Sequence, residues 1–500
     1  MNGSWLQRQA QLHPERPAFY WQDKSWSFAA LQKEVTAYAC YYEHRIPQTI
    51  ERVAILSNNS PEMYFTILAL WELGKQIQFL NTRLTEKELY YQLTDAACQW
   101  VVTNRSLSLP RIKFLPFGKL QERFFSAPIS IYQKTQVASI MYTSGTTGNP
   151  KGVPQTFGNH FASAQATQIN LSVTADDCWC CVVPLYHISG LSILLRSLIL
   201  GISVRLYDRF DAQQIASDLA AGKGTVLSLV TKMLIDLLPL TGDNGYPSLR
   251  YILLGGGPIA RSVLMQCQDK CLSVIQSYGM TETCSQVVAL PPDKAEEKIG
   301  SAGLPLAQVN LRIQSQSLKE SVIEKEGKLG EIQLQGPAIV TCYLNDRGLE
   351  QWTQDGWFAT GDLGYLDSEG YLYVVSRLSE LIISGGENIY PAEVEQALVS
   401  HPAIEEAAVV GEPSGVWGQE PVAYLTLKEP ITLPELIAYL TPQLARYKHP
   451  RRYYQVKEMP RTASGKIVKR VLLTEERVNY IEQQIKEGVS TCISCWQKGV

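Results

Sequence analysis

The chain has 500 residues, 45% of them hydrophobic, and its 45 lysines and arginines nearly balance 48 aspartates and glutamates to give a net charge of -3. This length exceeds what one hydrophobic core usually supports, so at least two domains are expected, and the hydrophobic content excludes global disorder. The balanced charge excludes a broad basic field for nucleic acid or anionic lipid, so any anion site must be local.

The N-terminal part of the chain predicts an α/β arrangement. Residues 1–8 lack a basic stretch followed by an apolar core, so no secretory signal is expected. From about Phe28 to Thr241, helical patterns alternate with short apolar runs such as residues 53–56 and 100–103. This alternation predicts βαβ units around parallel sheets.

A glycine-rich and hydroxyl-rich run occupies residues 142–153 and contains Lys151 near its end. Glycines let backbone N–H groups approach anionic oxygens, hydroxyls add donors, and the lysine adds a point charge. Taken alone, such a run is more typical of a solvated turn, and it lacks the Walker order of residues. The candidates for phosphate contact are Thr143, Ser144, Gly145, Thr146, Thr147 and Lys151.

An aromatic residue and a histidine come next, in the segment 184–191, where His187 precedes a glycine. A histidine in apolar sequence is more often a hydrogen-bonded core residue than a functional one. The apolar stretch that follows, residues 188–204, is interrupted by Arg196 and by serines. It therefore predicts a buried amphipathic segment rather than a membrane span, and the chain is expected to be cytoplasmic.

Two more segments follow apolar runs. Residues 251–258 predict a buried strand that ends in Gly255, Gly256 and Gly257, which by themselves indicate a turn. Residues 277–283 supply the candidates Tyr278, Gly279, Thr281 and Glu282. A carboxylate suits Mg²⁺, which prefers oxygen ligands, although a lone glutamate is more typical of a solvated surface.

Later segments are more β-like. Residues 311–313, 330–334 and 370–374 alternate side chains between glycines and predict a small antiparallel barrel or sheet. Asp362 lies among them in a segment typical of a turn, and Arg377 follows fifteen positions later. A domain boundary is predicted near residues 376–380, before a shorter α+β pattern whose first helix opens at Pro391.

The C-terminal part contains a lysine beside a glycine, Lys466 in residues 460–467. Most lysines are solvated surface charges, but one on a flexible loop could reach a carboxylate and a phosphate together. A polar, helical extension is expected after about residue 470. Eleven cysteines in so long a chain predict free thiols, and the C-x-x-C at Cys492 and Cys495 is only half a zinc site.

Taken in this order from residue 142 to 467, the segments resemble the adenylate-forming superfamily. That superfamily contains acyl-CoA synthetases, firefly-type luciferases and the adenylation domains of peptide synthetases. The resemblance implies an α/β fold with a large N-terminal domain of two doubly wound sheets plus a small β-barrel, residues 1–376. A smaller mobile α+β C-terminal domain, residues 377–470, and a C-terminal extension, residues 471–500, would follow.

The same resemblance implies an acid–thiol ligase that uses ATP, Mg²⁺ and coenzyme A. In it, residues 142–153 are the phosphate loop, the three glycines at 255–257 pack along adenine, and Tyr278 stacks on that base. Thr281 approaches the α-phosphate and Glu282 helps to hold Mg²⁺. No protein nucleophile is required, which agrees with the lack of a recognisable catalytic triad.

The remaining implied roles concern ribose, the hinge and the second reaction step. Asp362 and Arg377 would bind ribose, Ser379 would occupy the hinge position, and Lys466 would be the adenylation lysine. Many relatives place Asp or Lys at the hinge, so Ser379 departs from the common pattern. Gly385 and Gly386 would lie beside the tunnel for coenzyme A, and His187 would lie beside the substrate carboxylate.

Within the superfamily, residues 187–194 and 278–286 most resemble the branch that acts on 2-succinylbenzoate in menaquinone biosynthesis. That small-molecule acid carries a second carboxylate, which needs a fixed partner. The substrate-binding candidates are His187, Ser189, Arg196 and Ser285. For Arg196, a position on the protein surface is equally compatible with the sequence.

Other functions stay open. They are a medium-chain or aryl acyl-CoA ligase, a peptide-synthetase adenylation module and a nucleotide-binding regulator without turnover. No carrier segment, which a peptide-synthetase module would need, is apparent after Lys466. The sequence leaves the oligomeric state open, a homo-oligomer included.

Overall fold

The computed structural model describes residues 4–120, 132–143, 150–255, 259, 261–295, 297–314, 327, 329–461 and 467–472. The helices of this part are α1 (Trp5–Leu12), α2 (Phe28–Glu43), α3 (Pro61–Glu72), α4 (Glu86–Asp95), α5 (Phe157–Leu171), α6 (Ile188–Leu200), α7 (Ala212–Ala220), α8 (Thr231–Leu237), α9 (Arg261–Asp269), α10 (Pro391–Val399) and α11 (Leu433–Leu440). The strands of the first half are β1 (Pro17–Trp21), β2 (Lys24–Ser27), β3 (Arg52–Leu56), β4 (Gln76–Leu80), β5 (Trp100–Val102), β6 (Lys113–Leu115), β7 (Val137–Thr143), β8 (Lys151–Thr156), β9 (Cys178–Cys181), β10 (Ser203–Leu206), β11 (Val226–Val230) and β12 (Tyr251–Gly255). Those of the second half are β13 (Val274–Met280), β14 (Ser285–Ala289), β15 (Leu304–Pro305), β16 (Asn310–Gln314), β17 (Gly330–Gln335), β18 (Phe358–Leu366), β19 (Leu372–Arg377), β20 (Ile382–Ser384), β21 (Glu387–Ile389), β22 (Ile404–Ser414), β23 (Gly418–Leu427) and β24 (Arg452–Gln455).

Contacts between residues divide the chain into two compact units. The first unit comprises residues 1–256, 266–311 and 334–358, and the second comprises residues 257–265, 312–333 and 359–500. The predicted division into 1–376, 377–470 and 471–500 stays a prediction, and the extension beyond residue 472 lies outside the described residues.

The larger sheet of the first unit has nine strands in the order β15-β14-β13-β12-β11-β9-β10-β1-β2. Its central strands run parallel, whereas β2, β14 and β15 pair antiparallel at the edges. Strands such as β11 and β12 are apolar and largely buried, as expected where a parallel sheet is covered on both faces. This arrangement confirms the predicted βαβ pattern.

The other sheet of the first unit has six strands in the order β6-β5-β3-β4-β7-β8. The apolar runs predicted as strands at 53–56 and 100–103 are β3 and β5, which pair in parallel. Only β8 runs antiparallel to its neighbour, β7. The two strands that flank the glycine-rich run are therefore adjacent at one edge of the sheet.

Helix α6 confirms the predicted buried segment after His187. It packs closely at its start, because a Cβ on Gly190 would lie 2.3 Å from the carbonyl oxygen of Pro184. The helix ends at Gly201 in the left-handed conformation that favours glycine. Among the described residues, no helix is long and apolar enough to cross a membrane.

The other two sheets consist mostly of residues of the second unit. One has four strands in the order β16-β17-β18-β19 and includes all three segments predicted to form a small barrel or sheet. The other contains β20 to β24, with β23 in its centre, and packs with α10 and α11 around a core of aliphatic residues. Helix α10 begins at Pro391 as predicted, since proline suits the first helical position. These sheets and helices confirm the predicted α/β fold class.

Candidate active site

The strands that flank the glycine-rich run place Thr143 directly opposite Lys151. Ser144, Gly145, Thr146 and Thr147 lie outside the described residues. The Lys151 Nζ atom lies 5.0 Å from the centre of the Tyr343 ring and 3.9 Å from Oε1 of Glu350. Because the Glu350 side chain is 77% exposed, this ion pair is weak, and it leaves the lysine charge largely uncompensated.

Glu282 is buried and held in a fixed orientation. Its side chain accepts a hydrogen bond of 2.8 Å from the Tyr343 hydroxyl, and its backbone carbonyl accepts one of 2.9 Å from the amide of Val340. The Tyr343 ring packs in an apolar cluster with Val153, Cys284 and Val340, which directs the hydroxyl at the carboxylate. Tyr343 thus contacts both Lys151 and Glu282.

The donor set around Glu282 fits Mg²⁺ that arrives with a nucleotide. The described residues contain no cluster of three or more histidine, cysteine or acidic side chains that would hold a metal ion alone. Mg²⁺ commonly takes one or two protein carboxylates and completes its coordination with phosphate oxygens and water. A single buried, oriented carboxylate is therefore sufficient.

A buried chain of hydrogen bonds supports the turn that carries Glu282. Gln155 donates to the carbonyl oxygen of Thr281 at 2.7 Å and accepts from Ser139 at 2.6 Å. The Ser139 hydroxyl also lies 2.8 Å from Nε2 of His160. Burial lowers the pKa of His160 to about 3, so this histidine is neutral and acts as a hydrogen-bonding support.

Strands β12 and β13 carry the residues predicted to contact adenine. Gly255 ends β12, and Tyr278 lies half-buried on β13. Gly279 is required by close packing, since a Cβ there would lie 2.1 Å from the carbonyl oxygen of Ser285. Gly256 and Gly257 lie outside the described residues.

The segment predicted to bind the acyl group surrounds the start of α6. His187 precedes the helix, is half-buried and lies with its ring 4.9 Å from that of Tyr186. Ser189 is exposed, and its carbonyl oxygen accepts from the hydroxyl of Ser192 at 3.3 Å. That hydroxyl also donates to Ser285 at 3.3 Å, so the helix reaches the turn after Glu282.

Arg196 is buried, with 1% of its surface exposed, so it does not occupy the surface position that the sequence allowed. Its Nη2 atom donates to Ser285 at 3.0 Å and to Gln286 at 2.8 Å, and its guanidinium lies 4.8 Å from the centre of the Trp179 ring. Within the described part of the chain, no carboxylate forms an ion pair with it, and its Nε atom has no acceptor.

The charge of Arg196 is costly in this environment. Burial lowers the pKa of its guanidinium to about 9, so it stays protonated at neutral pH. A buried cation without a compensating carboxylate lowers stability, because hydrogen bonds to neutral groups replace only part of its hydration. The site is therefore suited to an anionic group supplied from outside the chain.

The second unit assembles the residues predicted to bind ribose. Asp362 and Arg377 are directly opposite on β18 and β19, and Arg377 Nε lies 3.0 Å from an Asp362 carboxylate oxygen. The Asp362 side chain is 6% exposed and the Arg377 side chain 44%. Thr360 fixes the strand by donating to the carbonyl oxygen of Ile332 and accepting from the amide of Asp362.

The predicted hinge and coenzyme A residues lie farther along the second unit. Ser379 is exposed in a short 3₁₀ turn, Leu378–Glu380. Gly385 and Gly386 form the two-residue turn between β20 and β21, and their φ values of 59° and 85° suit the tight hairpin turns that favour glycine. Lys466 lies outside the described residues.

Sequence reasoning missed Tyr343 and Gln286. Each contacts a predicted site residue. Tyr343 belongs to no motif that the sequence singled out, and Gln286 ends the segment 278–286 but was not chosen as a candidate. Tyr343 is 61 positions from Glu282, and Gln286 is 90 positions from Arg196. For Gln286 a signal existed, since it directly follows the candidate Ser285.

Two family models match this chain. The model described as AMP-binding enzyme matches residues 6–344, and the model described as AMP-binding enzyme C-terminal domain matches residues 393–466. The chain belongs to the AMP-binding enzyme family. Membership confirms the resemblance seen in the motifs. The assignment of Lys151, Tyr278 and Glu282 to a nucleotide site stays a prediction.

Curated members of the AMP-binding enzyme family match over nearly the whole chain. A 2–succinylbenzoate–CoA ligase of Enterococcus faecalis is 52% identical over 485 residues, which cover 96% of this chain and 99% of the relative. A protein of the same name from Listeria monocytogenes is 42% identical over 467 residues, 93% of this chain and 97% of the relative.

Solved structures of this family also match. The o-succinylbenzoate CoA synthetase MenE of Bacillus subtilis, in complex with the acyl-adenylate intermediate OSB-AMP, is 40% identical with a TM-score of 0.86, covering 94% of this chain and 98% of that one. The same enzyme has been solved with ATP and magnesium ion, with the same identity and TM-score and coverage of 94% and 99%. ATP-bound MatB of Rhodopseudomonas palustris is 26% identical with a TM-score of 0.85, covering 96% and 100%.

The Tyr343 hydroxyl gives a first test of the AMP-binding site. Tyr343→Phe removes the hydrogen bond to Glu282 but keeps the packed ring. We expect roughly a tenfold lower kcat/KM for MgATP and a higher Mg²⁺ concentration for half-maximal rate, because the carboxylate loses one of the contacts that orient it. Steady-state kinetics over an Mg²⁺ titration measures both.

The control is Tyr246→Phe, which also removes a buried hydroxyl, one that lies 3.2 Å from Thr241. This variant should leave the Mg²⁺ dependence unchanged. Identical Mg²⁺ curves for wild type and Tyr343→Phe would contradict the assignment of Tyr343.

Proposed function

We propose that the chain is an ATP-dependent acid–CoA ligase that converts 2-succinylbenzoate to 2-succinylbenzoyl-CoA through an acyl-adenylate, in menaquinone biosynthesis. The observation that carries the proposal is the 52% identity to a 2-succinylbenzoate–CoA ligase over 96% of this chain and 99% of the relative. The match spans nearly the whole length of both proteins rather than one shared domain. The reaction uses ATP, Mg²⁺ and coenzyme A.

The geometry of Arg196 supports a substrate with two carboxylates. One carboxylate must react at the α-phosphate, so the other needs a separate cationic partner. Arg196 is buried, charged and without a carboxylate partner among the described residues. We assign it, with Ser285, to the carboxylate that does not react, because a desolvated guanidinium gains most from an ionic partner.

In the first half-reaction, an oxygen of the substrate carboxylate forms a bond to the α-phosphorus of ATP, and the bond to pyrophosphate breaks. Lys151 offsets negative charge on the phosphates, and Glu282 would hold Mg²⁺, which supplies further charge compensation when bound. Lys466 orients the carboxylate for attack. Since the substrate itself provides the nucleophile, no side chain forms a covalent bond.

In the second half-reaction, the sulfur of coenzyme A forms a bond to the acyl carbon, the bond to AMP breaks and the thiol loses its proton. We assign Gly385 and Gly386 to the passage of the thiol arm, and Ser379 to the hinge that separates the two half-reactions. Because both residues are glycines, the backbone of this turn carries no side chains, and their positive φ values suit glycine.

A medium-chain or aryl acyl-CoA ligase is the second candidate. Such substrates have one carboxylate, which reacts, and an apolar remainder. They would leave Arg196 buried beside neutral groups only, so its charge would contribute no ionic attraction to their binding. The buried guanidinium therefore favours the dicarboxylate.

A panel of acids tests the proposal. We take the ring carboxylate to be the one that does not react. Purified protein with ATP, Mg²⁺ and coenzyme A is given 2-succinylbenzoate, its analogue without the ring carboxylate, benzoate and octanoate. We expect pyrophosphate release and thioester with 2-succinylbenzoate, at a kcat/KM at least about 100-fold above the analogue, since the site's buried cation would be left unpaired.

Pyrophosphate release with octanoate or benzoate but none with 2-succinylbenzoate would reject the substrate. Release with no acid of a broad panel would favour a nucleotide-binding regulator. The cytoplasmic location and a homo-oligomeric state stay predictions, which cell fractionation and sedimentation would test.

A further inference from the structure

In the second unit, Lys469 lies between two carboxylates. Its Nζ atom is 2.6 Å from Oε2 of Glu380 and 2.9 Å from Oε1 of Glu395, and its side chain is only 17% exposed. Glu395 lies on α10 and also accepts a hydrogen bond of 2.6 Å from the amide of Val409. Both carboxylates are therefore held by secondary structure, and the ammonium group joins them.

Lys469 lies near the predicted adenylation lysine in sequence and contacts a neighbour of the predicted hinge residue. Glu380 directly follows Ser379, the predicted hinge residue, and ends the same 3₁₀ turn. Lys469 comes three positions after Lys466, the predicted adenylation lysine. Since consecutive Cα atoms are 3.8 Å apart, the Cα atoms of Lys466 and Lys469 are within about 11 Å of each other.

The backbone on both sides of residues 462–466 is also fixed. Arg461 and Ile467 form an antiparallel bridge, and the amide of Val468 donates to the carbonyl oxygen of Pro460 at 2.7 Å. Arg461 forms an ion pair with Glu406. Leu472 is fully buried in an apolar cluster of the second unit. The residues on both sides of the stretch 462–466 are thus held in place, and of these Lys469 contacts Glu380, next to the predicted hinge.

Burial and the neighbouring opposite charges act in opposite directions on the pKa values of Glu395 and Lys469. Burial raises the pKa of Glu395, with Lys469 acting against it. Burial acts to lower the pKa of Lys469, but the two carboxylates raise it above its ordinary value, so the lysine is charged. Buried ion pairs add little net stability, because desolvation offsets the attraction. Their directional contacts instead fix the geometry of the groups they join.

We propose that Lys469 is a positioning residue for adenylate formation, which acts by tying the backbone next to Lys466 to Glu380, beside the hinge. The inference rests on the proposed ligase function. It deepens that function, because it names the contact that keeps the adenylation lysine in a fixed relation to the hinge. Thioester formation, which does not use Lys466, should not depend on this contact.

Three variants test the proposal in the full-length protein. Lys469→Met should lower the single-turnover rate of pyrophosphate release with 2-succinylbenzoate by roughly 10- to 100-fold, because small misplacement of a reacting group is costly. Glu380→Gln, which keeps the pair of Lys469 with Glu395, should lower it by about tenfold. Lys469→Arg, which keeps the charge, should recover most of the rate. Thioester formation from supplied 2-succinylbenzoyl-adenylate and coenzyme A should stay within about twofold of wild type in all three.

Lys448→Met is a matched control. Lys448 also pairs with a carboxylate of α10, Glu393, at 2.6 Å, and its side chain is similarly buried, with 19% exposed. Breaking this pair should leave both half-reactions unchanged, because Lys448 neither adjoins the loop nor contacts Glu380.

Wild-type adenylation rates in Lys469→Met and Glu380→Gln would overturn the inference. The inference would also be overturned if Glu380→Gln lost rate equally in both half-reactions and unfolded at a lower temperature, since the contact would then serve stability only. If wild type released pyrophosphate with another acid only, the proposed substrate would fail, and the same variants measured with that acid would still decide the role of Lys469. If wild type released none with any acid, the ligase function would fail and the inference with it.

Discussion

Replacing Arg196 with methionine is expected to lower kcat/KM for 2-succinylbenzoate by roughly 100- to 1,000-fold. This loss corresponds to about 3–4 kcal/mol, the range measured when one partner of a desolvated charge pair is removed. The analogue without the ring carboxylate should be affected by less than about threefold, because it has no second anion to lose. Steady-state kinetics with both acids gives the ratio.

The stability of this variant is as informative as its kinetics. Methionine has a similar length and removes a buried charge that no carboxylate of the described residues balances. Ser285 still donates to Gln286 at 2.7 Å, so those two groups keep a partner. The free energy of unfolding of Arg196→Met should therefore equal or exceed that of wild type. Chemical denaturation measures it.

Arg250→Met is the matched control for Arg196. Arg250 lies 2.6 Å from a carboxylate oxygen of Asp177, whose side chain is 2% exposed. Removing this arginine leaves a buried carboxylate unpaired and should lower the free energy of unfolding by about 2 kcal/mol or more, with the ratio between the two acids unchanged. Equal losses of activity on both acids in Arg196→Met would contradict its assignment to the second carboxylate.

Replacing Lys466 with alanine is expected to lower adenylate formation by roughly 100- to 1,000-fold. An ammonium group that contacts both the carboxylate and the α-phosphate orients the attack and offsets charge that develops in the transition state. Thioester formation from supplied adenylate should stay within about twofold of wild type. Pyrophosphate release in a single turnover and thioester formation from the adenylate separate the two steps.

Lys457→Ala is the control for this variant. Lys457 is an exposed lysine of the same unit, nine positions earlier in the chain. Its removal should change neither step, because an exposed charge without a reacting partner contributes little. A similar loss of both steps in Lys466→Ala would contradict the specific role in adenylation.

Much of the local structure could be read from the sequence. The apolar runs at 53–56 and 100–103 are strands, and the helix at Pro391 begins where predicted. These features follow from the hydrophobic period and from proline chemistry, which act over a few residues. The order of the motifs also identified the family, since each motif is a short contiguous segment.

The pairing of Asp362 with Arg377 was only partly readable. The resemblance to the superfamily implied that both bind ribose, but a bulge between Leu363 and Gly364 shifts the register of β18 against β19. Register decides which face a side chain occupies, so a spacing alone does not establish contact. The structure shows the two side chains 3.0 Å apart.

By itself, the sequence determined the fold class and the family and supplied the candidates for the site, because local patterns and short motifs encode them. Only the tertiary structure decided how these residues are supported. It brought the Tyr343 hydroxyl into contact with Glu282, 61 positions away in the sequence. It also buried Arg196 beside Ser285, 89 positions away. Such contacts depend on how strands and helices pack, and packing is a property of the whole unit rather than of any one segment.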